Sequence, residues 1–263
     1  MCTLVILRRP NHDWPLIIGA NRDEKRDRPW ASPARHWPDR THVVAGRDEL
    51  AGGTWLGVND DGLVAAVLNR SGSLGPDPDR RSRGELPLEA LDHAEAIVAA
   101  EALAELDPDA YRPFNLFVGD ARNAYWICSV REDGTPGMRV NEIPQGVSML
   151  TDLDRNDPAA PRVRLYLSRF ETAPPPNPDT DTWSRDENRG WWQALLADKE
   201  FENGVGPKGA MNIDMSLQTP GDFGTVSSAL IAVPALVTPT RRTRWLFAAG
   251  APDTCPFEPV ELS

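Results

Sequence analysis

Two short apolar runs separated by a polar break open the chain, and this pattern predicts an antiparallel β-hairpin. The runs are Thr3–Leu7 and Pro15–Ala20. The break between them, Pro10–Asp13, is rich in the Pro, Asn and Asp residues that favour turns. If the turn centres near His12, paired residues on the two strands have numbers that sum to about 24.

The predicted register brings polar residues of the second strand beside a cysteine at the start of the first. Cys2 lies opposite Arg22, and Asn21 and Asp23 are the neighbours of that arginine. Directly opposed Cβ atoms in such a pair are about 5 Å apart. The hairpin therefore predicts a thiol beside a cation and a carboxylate, which is an arrangement suited to an active site.

Removal of Met1 would make Cys2 the first residue, with a thiol and a free α-amine on the same residue. An α-amine has a pKa of about 7.7–8.0 and can act as the base for its own side chain. A neighbouring guanidinium favours the thiolate, and Asp23 would orient the amine or hold Arg22 in place. The alternative is structural, because a cysteine at the start of a buried strand is commonly a small apolar residue.

Short runs rich in β-branched and aromatic residues follow along the rest of the chain, and turn residues separate them. Several occur in pairs, which predicts further hairpins, and Asn59-Asp60-Asp61-Gly62 is one of the turns. The runs that predict strands are His42–Ala45, Thr54–Val58, Leu63–Leu68, Phe114–Gly119, Ala124–Val130, Met138–Ile143, Val147–Leu150, Thr225–Val233 and Arg244–Ala249.

Three stretches have the periodicity of amphipathic helices. The first, Pro87–Leu106, has proline in its first turn and places Leu88, Leu91, Ala94 and Val98 on one face. In the last of the three, one of the two adjacent tryptophans, Trp191-Trp192, is expected to face the core. The other two predicted helices are Pro158–Ala173 and Glu187–Asp198.

Polar segments separate these elements. The prolines of Lys25–Arg40 exclude helix and central strand there, so this segment is predicted to be a loop. Ser71–Arg83, which is rich in Gly, Pro and Arg, is predicted to be a second loop. Strands followed by helices and then by strands, without an internal repeat, indicate an α+β fold. Residues 1–263 are therefore predicted to form a single domain.

The composition is that of a globular protein with an acidic surface. The 263 residues contain 39 Asp and Glu against 28 Lys and Arg, which gives a net charge of −11. This charge argues against nucleic acid as a partner, because binding nucleic acid requires a basic face. No apolar run approaches the roughly 20 residues of a membrane span, and polar residues interrupt the N-terminal run too early for a signal peptide. A cytoplasmic location is therefore expected.

The cysteines and histidines form neither a disulfide nor a metal pattern. Cys2, Cys128 and Cys255 are odd in number and far apart, and Cys128 lies in an apolar run typical of a protein core. The four histidines include no pair at i and i+4. The sequence therefore predicts no disulfide framework and no metal site, and it leaves the oligomeric state open.

Two further segments contain candidate ligand-binding residues. Asn69 ends the strand that returns from the Asn59–Gly62 turn, where its side chain and backbone N–H could stabilise an oxyanion. An asparagine that simply terminates the strand is the commoner outcome. The arginines of Arg80–Gly84, among them Arg83, could bind a carboxylate or phosphate by bidentate pairing, although such a run is more often a solvated loop.

Blocks of sequence along nearly the whole chain resemble the NRDE family. Asn21-Arg22-Asp23-Glu24 is the tetrapeptide for which that family is named, and its eukaryotic members include transport and Golgi organisation protein 2. The resemblance implies an N-terminal-nucleophile (Ntn) hydrolase-like fold, a four-layer αββα sandwich of two antiparallel sheets flanked by helices. The other matching blocks are MCTL at the start, GGTWLGVN at Gly52–Asn59, Ser82-Arg83-Gly84, Phe114–Asp120 and the strand around Gly224–Ser228.

A more distant resemblance links the opening of the chain to the cysteine Ntn amidases, the penicillin V acylases and bile salt hydrolases. By this resemblance Cys2 matches their nucleophile, Asp23 the carboxylate near the new amine, and Asn69 an asparagine of the oxyanion hole. Arg22 is expected to orient the reacting groups together with Asp23. The residues assigned to substrate binding are Asn21, Arg83 and Asp152.

Three positions depart from the amidase pattern. Ala20 stands where the amidases have an arginine, and Arg22 is then expected to supply the positive charge from a different position. Asp152 lies near the expected second oxyanion asparagine, where an ionised carboxylate would repel a developing oxyanion. Val226 stands where an arginine is common. The nucleophile therefore resembles that of the amidases, whereas the groups expected to stabilise the oxyanion do not.

Two functions are consistent with these residues. The first is a cysteine Ntn-type hydrolase that acts on a C–N amide or thioester of a small molecule. The second is a non-catalytic binding or trafficking protein for haem or for an acyl or lipid ligand, as the resemblance to the eukaryotic members implies. Haem would require a Cys or His axial ligand, for which Cys2, His36 and His42 are the candidates. No other cofactor is expected.

Overall fold

The computed structural model of the chain describes residues 2–73, 77–132, 135–181, 183, 191–216, 222–237 and 240–262. The chain divides into two compact units. The first comprises Met1–Arg28 and Gln145–Glu261, and the second comprises Pro29–Pro144 and Leu262–Ser263. Each unit contains one antiparallel sheet and, among the described residues, two α-helices. The grouping of both units into a single domain stays a prediction.

Strands dominate the described residues, and helices are few. The helices are α1 (Glu85–Leu91), α2 (Ala96–Ala104), α3 (Pro161–Thr172) and α4 (Trp191–Leu196). The strands are β1 (Thr3–Arg8), β2 (Leu16–Lys25), β3 (Trp30–Ala34), β4 (Val43–Asp48), β5 (Leu56–Asn59), β6 (Val64–Asn69), β7 (Phe114–Gly119), β8 (Ala124–Glu132), β9 (Thr135–Glu142), β10 (Gly146–Leu150), β11 (Phe223–Val233), β12 (Arg244–Ala248) and β13 (Glu258–Pro259).

The sheet of the first unit has the strand order β10-β1-β2-β11-β12-β13, so the opening hairpin lies inside the sheet rather than at its edge. The hairpin has the predicted register. Thr3 pairs with Asn21 and Arg8 pairs with Leu16, so that the numbers of each pair sum to 24. The two apolar runs and the turn residues between them are therefore sufficient to predict which residues face each other.

The helices of the first unit pack on one face of this sheet. Tyr166 and Phe170 of α3 and Trp192 of α4 are buried in the same apolar cluster as Val5 and Ile17 of the hairpin. The expectation that one of the adjacent tryptophans faces the core is confirmed, because Trp192 is 1% exposed and the neighbouring tryptophan is 63% exposed. Residues 187–190, the start of the predicted helix Glu187–Asp198, lie outside the described residues.

The sheet of the second unit is a meander in which β3 to β9 are neighbours in chain order. The predicted loop Lys25–Arg40 is wrong at Trp30–Ala34, which forms β3. This strand lies at the edge of the sheet and pairs irregularly with β4, with a register shift between Ala31 and Ala34. An edge strand tolerates Pro33 because its outer N–H groups need no strand partner.

The single helix predicted over Pro87–Leu106 is also wrong, because the chain forms α1 and α2 with a break between them. Asn59 closes α1 by donating hydrogen bonds to the carbonyl oxygens of Leu91 and His93, at 3.0 and 2.7 Å. A new helix then begins where the Ala96 N–H donates to Asp120 at 2.7 Å. Side chains from outside the helix thus satisfy the end groups that a continuous helix would pair internally.

The break also changes which residues of the second helix face the core. The predicted face placed Ala94 and Val98 in line with the leucines of α1, but both are exposed. The residues of α2 that are buried are Ala96, Ala99, Ala100 and Leu103.

Two of the family-like blocks of the second unit meet backbone to backbone. The Thr54 N–H donates to the carbonyl oxygen of Gly84 at 2.9 Å. A Cβ atom on Gly53 would lie 2.4 Å from the carbonyl carbon of Gly84, which is far inside van der Waals contact. The glycines of both blocks are therefore required because they allow two backbone segments to approach closely.

We expect Gly53→Ala to lower the free energy of unfolding by about 1–3 kcal/mol, because the new methyl group would meet backbone rather than a movable side chain. Gly137→Ala is the matched control, since a Cβ there would meet only Val130 at 3.8 Å. Urea denaturation of both variants measures the difference. Equal stability of Gly53→Ala and the wild type would contradict the close approach.

No helix among the described residues is both long enough and apolar enough to cross a membrane.

Candidate functional site

Cys2 stands immediately before β1, half-buried at the start of an apolar strand. Continuing the register of Thr3 and Asn21 by one residue places Cys2 opposite Arg22. The charges of Arg22 and Asp23 both act on the thiol of Cys2. The local geometry predicted for the cysteine, with Arg22 and Asp23 beside it on the neighbouring strand, is therefore present.

The thiol of Cys2 is not intrinsically acidic. Burial raises its pKa above the ordinary value, and the negative charge of Asp23 acts in the same direction. The positive charge of the amino terminus, the hydrogen bond from the Asp23 N–H and the charge of Arg22 lower the pKa by less. Because the net shift is upward, Cys2 is a thiol at neutral pH and would need a nearby base in order to react as a thiolate.

The carboxylate of Asp23 is the centre of a buried network. Its Oδ1 accepts a hydrogen bond from the Thr225 hydroxyl at 2.7 Å, and its Oδ2 accepts one from Nη1 of Arg162 at 2.7 Å. The same Nη1 donates to the hydroxyl of Thr3 at 2.6 Å, and Nε of Arg162 donates to the carbonyl oxygen of Lys208 at 3.2 Å. The side chains of Arg162 and Asp23 are 4% and 0% exposed, so this ion pair is shielded from solvent.

Arg162 was not among the predicted site residues, although the pattern of α3 contains a signal for it. Arg162, Tyr166 and Phe170 are all buried and follow the i, i+4, i+8 spacing of one helix face. An arginine on the apolar stripe of a helix is unusual, because a buried charge requires a partner. The sequence could thus have flagged Arg162 as paired, but not which carboxylate pairs with it.

A β-bulge at Val226 explains why Thr225 reaches Asp23. β11 pairs with β2 in a regular register up to Ser227 opposite Arg22, and the next pair is Thr225 opposite Asp23. The extra residue between them is Val226, one of the positions that depart from the amidase pattern. Bulges next to functional sites redirect side chains, and here the bulge brings Thr225 to the same face as Asp23.

Strand alternation places the side chains of Thr3, Asn21 and Asp23 on one face of the sheet and those of Cys2 and Arg22 on the other. The first face is the one covered by α3 and α4. The carboxylate of Asp23 is therefore anchored by Arg162 on the helix-covered face, while the side chain of Cys2 lies on the opposite face. The carboxylate and the thiol are related through the positions of their backbones on neighbouring strands.

Asn21, predicted to bind substrate, is 1% exposed and makes three hydrogen bonds within the first unit. Its Nδ2 donates to the carbonyl oxygens of Leu196 and Met211, both at 2.9 Å. Its Oδ1 accepts a hydrogen bond from the Ser228 hydroxyl at 2.7 Å. These bonds fix β2 to the segments around it, and a contact of Asn21 with substrate stays a prediction.

Asp152 follows the strand on the other side of Cys2. The pairing of β1 with β10 ends at Leu4 opposite Leu150, and residues 151–154 form a bend beyond the strand. Asp152 therefore lies just past the end of the strand that neighbours β1, and its contact with Cys2 stays a prediction. An ionised carboxylate at this position would disfavour negative charge on a reacting carbonyl oxygen, as expected from the sequence.

The remaining two predicted site residues, Asn69 and Arg83, belong to the second unit. Asn69 is half-buried at the end of β6, opposite Phe114. Arg83 donates from Nη1 to the carbonyl and hydroxyl oxygens of Ser73, both at 2.9 Å, and to the carbonyl oxygen of Pro113 at 3.1 Å. Arg83 therefore anchors the loop that follows Asn69, and its binding of an anion stays a prediction.

Among the described residues, no group of three or more His, Cys, Asp or Glu side chains could hold a metal ion. The two histidines nominated as haem ligands lie in the second unit and contact backbone oxygens. Nε2 of His36 is 2.8 Å from the carbonyl oxygen of Ser32, and Nε2 of His42 is 3.2 Å from that of Leu91.

Comparison with solved structures defines the class of fold. A Caenorhabditis elegans N-acylethanolamine-hydrolyzing acid amidase ortholog matches with a TM-score of 0.54 and 14% identity, over 90% of this chain and 94% of that one. A C2A mutant of conjugated bile acid hydrolase from Clostridium perfringens matches with a TM-score of 0.53 and 11% identity, over 99% and 97%. The chain therefore has an Ntn-hydrolase fold, and the predicted fold class is confirmed.

The sequence itself places the chain in a family. The profile of the family described as Transport and Golgi organisation 2 matches residues 1–174, and the chain belongs to this family. The mouse Transport and Golgi organization 2 homolog is 34% identical over 110 residues, which are 40% of this chain and 38% of that protein. The human homolog is 33% identical over 128 residues, 46% of this chain and 45% of that protein. The chain therefore matches less than half the length of these curated relatives.

Proposed function

We propose that the chain is an N-terminal cysteine hydrolase that acts on a C–N amide or a thioester of a small molecule. The observation that carries this proposal is the position of Cys2, which lies opposite Arg22 in the hairpin register and whose thiol the charges of Arg22 and Asp23 affect. Two neighbours in fold are named as an amidase and as a conjugated bile acid hydrolase, which supports the same class of reaction. The proposal keeps the cytoplasmic location expected from the sequence.

The proposed reaction uses Cys2 after removal of Met1. The α-amine accepts the proton of the thiol, and the sulfur attacks the carbonyl carbon to form a tetrahedral intermediate. This intermediate collapses by breaking the C–N or C–S bond, and the ammonium returns the proton to the leaving amine or thiolate. Water then attacks the acyl-cysteine, which releases the carboxylic acid and regenerates the thiol.

The site residues have distinct parts in this reaction. Asp23 orients the new amine, and Arg22 stabilises the thiolate form of Cys2. Asn69 is proposed to steady the oxyanion, as the resemblance to the amidases implies. The raised pKa of the thiol makes the amine necessary, because little thiolate forms without a base.

The proposal is tested by the mass and the turnover of the purified protein. Intact mass is expected to show that Met1 is absent, and a panel of acyl p-nitroanilides and acyl-coenzyme A thioesters is expected to include a substrate. Loss of the amide or thioester is followed by p-nitroaniline or thiol release. Hydrolysis by protein that retains Met1 would contradict the role of the Cys2 amine.

The alternative proposal is a non-catalytic carrier of an acyl or lipid ligand or of haem. The feature that favours it is Asp152 just beyond β10, the strand that pairs with β1, because a negative charge near Cys2 would oppose catalysis. Haem fits this alternative less well than an acyl chain does, because Nε2 of both His36 and His42 already contacts a backbone oxygen. We therefore derive no step that involves haem.

Titration with haemin and with palmitoyl-coenzyme A distinguishes the two proposals. A carrier is expected to bind one of them saturably without consuming it, and Cys2→Ala should then bind as tightly as the wild type. Saturable binding of neither compound would remove the carrier proposal.

A further inference from the structure

Arg162 is the one described residue of α3 that combines a charge with nearly complete burial, and it contacts both strands of the opening hairpin. Nη1 donates to Thr3 of β1 at 2.6 Å and to Asp23 of β2 at 2.7 Å. Thr3 directly follows Cys2 in the chain, and Asp23 directly follows Arg22, which lies opposite Cys2 in the hairpin register. One guanidinium group therefore contacts the residues that adjoin the thiol on both strands.

The rest of the buried face of α3 is apolar, so packing of this helix on the sheet does not itself call for a charge. The other buried residues of α3 are Val163, Tyr166 and Phe170, which pack in an apolar cluster. A buried ion pair contributes little net stability compared with apolar packing of the same volume, because both charges lose their hydration. The ion pair lies next to Cys2, and this position indicates a role in the site.

We propose that Arg162 is a positioning residue of the Cys2 site, which holds Thr3 and Asp23 in place on either side of the nucleophile and balances the charge of Asp23. This inference rests on the proposed function, in which Cys2 is the nucleophile. In the amidase pattern, arginines at the positions of Ala20 and Val226 would supply positive charge. In this chain we assign that part to Arg162 of α3.

The consequence for the thiol follows from the sign of the charges. The Asp23 carboxylate disfavours a thiolate nearby, and the Arg162 guanidinium compensates that negative charge at 2.7 Å. Without Arg162 the uncompensated carboxylate would oppose ionisation of Cys2 more strongly. Without the charge of Asp23, the remaining guanidinium would favour ionisation.

The experiment measures the rate at which iodoacetamide alkylates Cys2 as a function of pH, by mass spectrometry of the N-terminal peptide. All variants carry Cys255→Ala, because Cys255 is the other cysteine with exposed surface, whereas Cys128 is fully buried. The rate reports the thiolate fraction and needs no substrate. The variants are Arg162→Met, Asp23→Asn and the two combined.

We expect Arg162→Met to move the midpoint of the alkylation profile upward by about one pH unit, which is about tenfold slower alkylation at a fixed pH below the midpoint. Asp23→Asn is expected to move it downward. The double variant is expected to return towards the wild type, because it removes both charges. If Arg162 had only a structural role, adding Asp23→Asn to Arg162→Met would not bring the midpoint back towards the wild type.

Arg164→Met is the matched control, because Arg164 lies on the same helix and pairs with Glu202 at an exposed position. Its midpoint should equal that of the wild type. An unchanged midpoint in folded Arg162→Met would overturn the inference, and so would a double variant shifted as far as Arg162→Met. If Arg162→Met does not fold, Asp23→Asn is compared with the double variant instead. Equal midpoints in those two proteins would overturn the inference.

This test separates the inference from the proposed function. Loss of the charge coupling with hydrolysis intact would remove the role of Arg162 and leave the hydrolase proposal standing. Absence of hydrolysis on every substrate, together with the expected shifts in midpoint, would remove the hydrolase proposal and leave Arg162 as the group that sets the charge beside Cys2.

Discussion

Cys2→Ala is expected to lower the rate of amide or thioester hydrolysis by at least about 10³-fold, because the sulfur forms the bond to the acyl group and nothing else in the hairpin can replace it. Alanine is as small as cysteine at the second position, so removal of Met1 should still occur. The comparison is made from kcat/KM for the best substrate of the panel, with intact mass confirming the same N-terminus in both proteins.

Cys255→Ala is the control for general effects of losing a thiol, since Cys255 is a free cysteine near the end of the chain and outside the opening hairpin. Its kcat/KM should stay within about twofold of the wild type. If Cys2→Ala retained most of the activity, another group would be responsible for the hydrolysis. Cys2 would then not be the nucleophile.

Asp23→Ala is expected to lower the free energy of unfolding by about 3–5 kcal/mol, which is the typical cost of removing one partner of a buried ion pair. The variant would leave the Arg162 guanidinium, which is 4% exposed, without its carboxylate. It would also remove the acceptor of the Thr225 hydroxyl, which donates to Asp23 at 2.7 Å. Urea denaturation followed by tryptophan fluorescence measures this change.

Asp13→Ala tests whether burial of the ion pair is the cause of the stability loss expected for Asp23→Ala. Asp13 lies in the turn of the same hairpin and pairs with Arg241 at 2.7 Å, but its side chain is 63% exposed. Exposed pairs contribute about 0–1 kcal/mol, so this variant should remain close to the wild type. A loss of stability in Asp23→Ala no larger than that in Asp13→Ala would show that the Asp23 network is less important for folding than its geometry indicates.

The opening hairpin shows how much of the site the sequence specifies. Its apolar runs and its turn residues were enough to predict the pairing of Thr3 with Asn21, and hence the position of Arg22 opposite Cys2. Local pattern suffices there because the two strands are adjacent in the chain and the turn between them sets their register. Most of the other strands were predicted for the same reason.

The contacts of Asp23 could not be predicted in this way. Arg162 and Thr225 are 139 and 202 residues away from Asp23 in the sequence. Their approach depends on how α3 packs and on a bulge at Val226, neither of which has a local sequence signature. The break between α1 and α2 has the same origin, because the side chains of Asn59 and Asp120 that cap it come from distant turns.

The departures from the amidase pattern also acquire a structural meaning. Val226 is the extra residue of the bulge that brings Thr225 to Asp23, so its side chain is not a replacement for a cation at the same place. The buried cation next to this carboxylate comes from α3 instead. The structure gives no such explanation for Asp152, the third departure from the amidase pattern. Asp152 is the residue that most favours the carrier proposal.

The most direct test of the account is to trap the acyl group on the enzyme. The protein is mixed with an acyl-coenzyme A thioester, quenched in acid within one turnover, and analysed by intact mass and by peptide mapping. The account predicts one added acyl group on an N-terminal peptide that begins with Cys2. An acyl group on Cys255, or hydrolysis with no acyl adduct on Cys2, would contradict it.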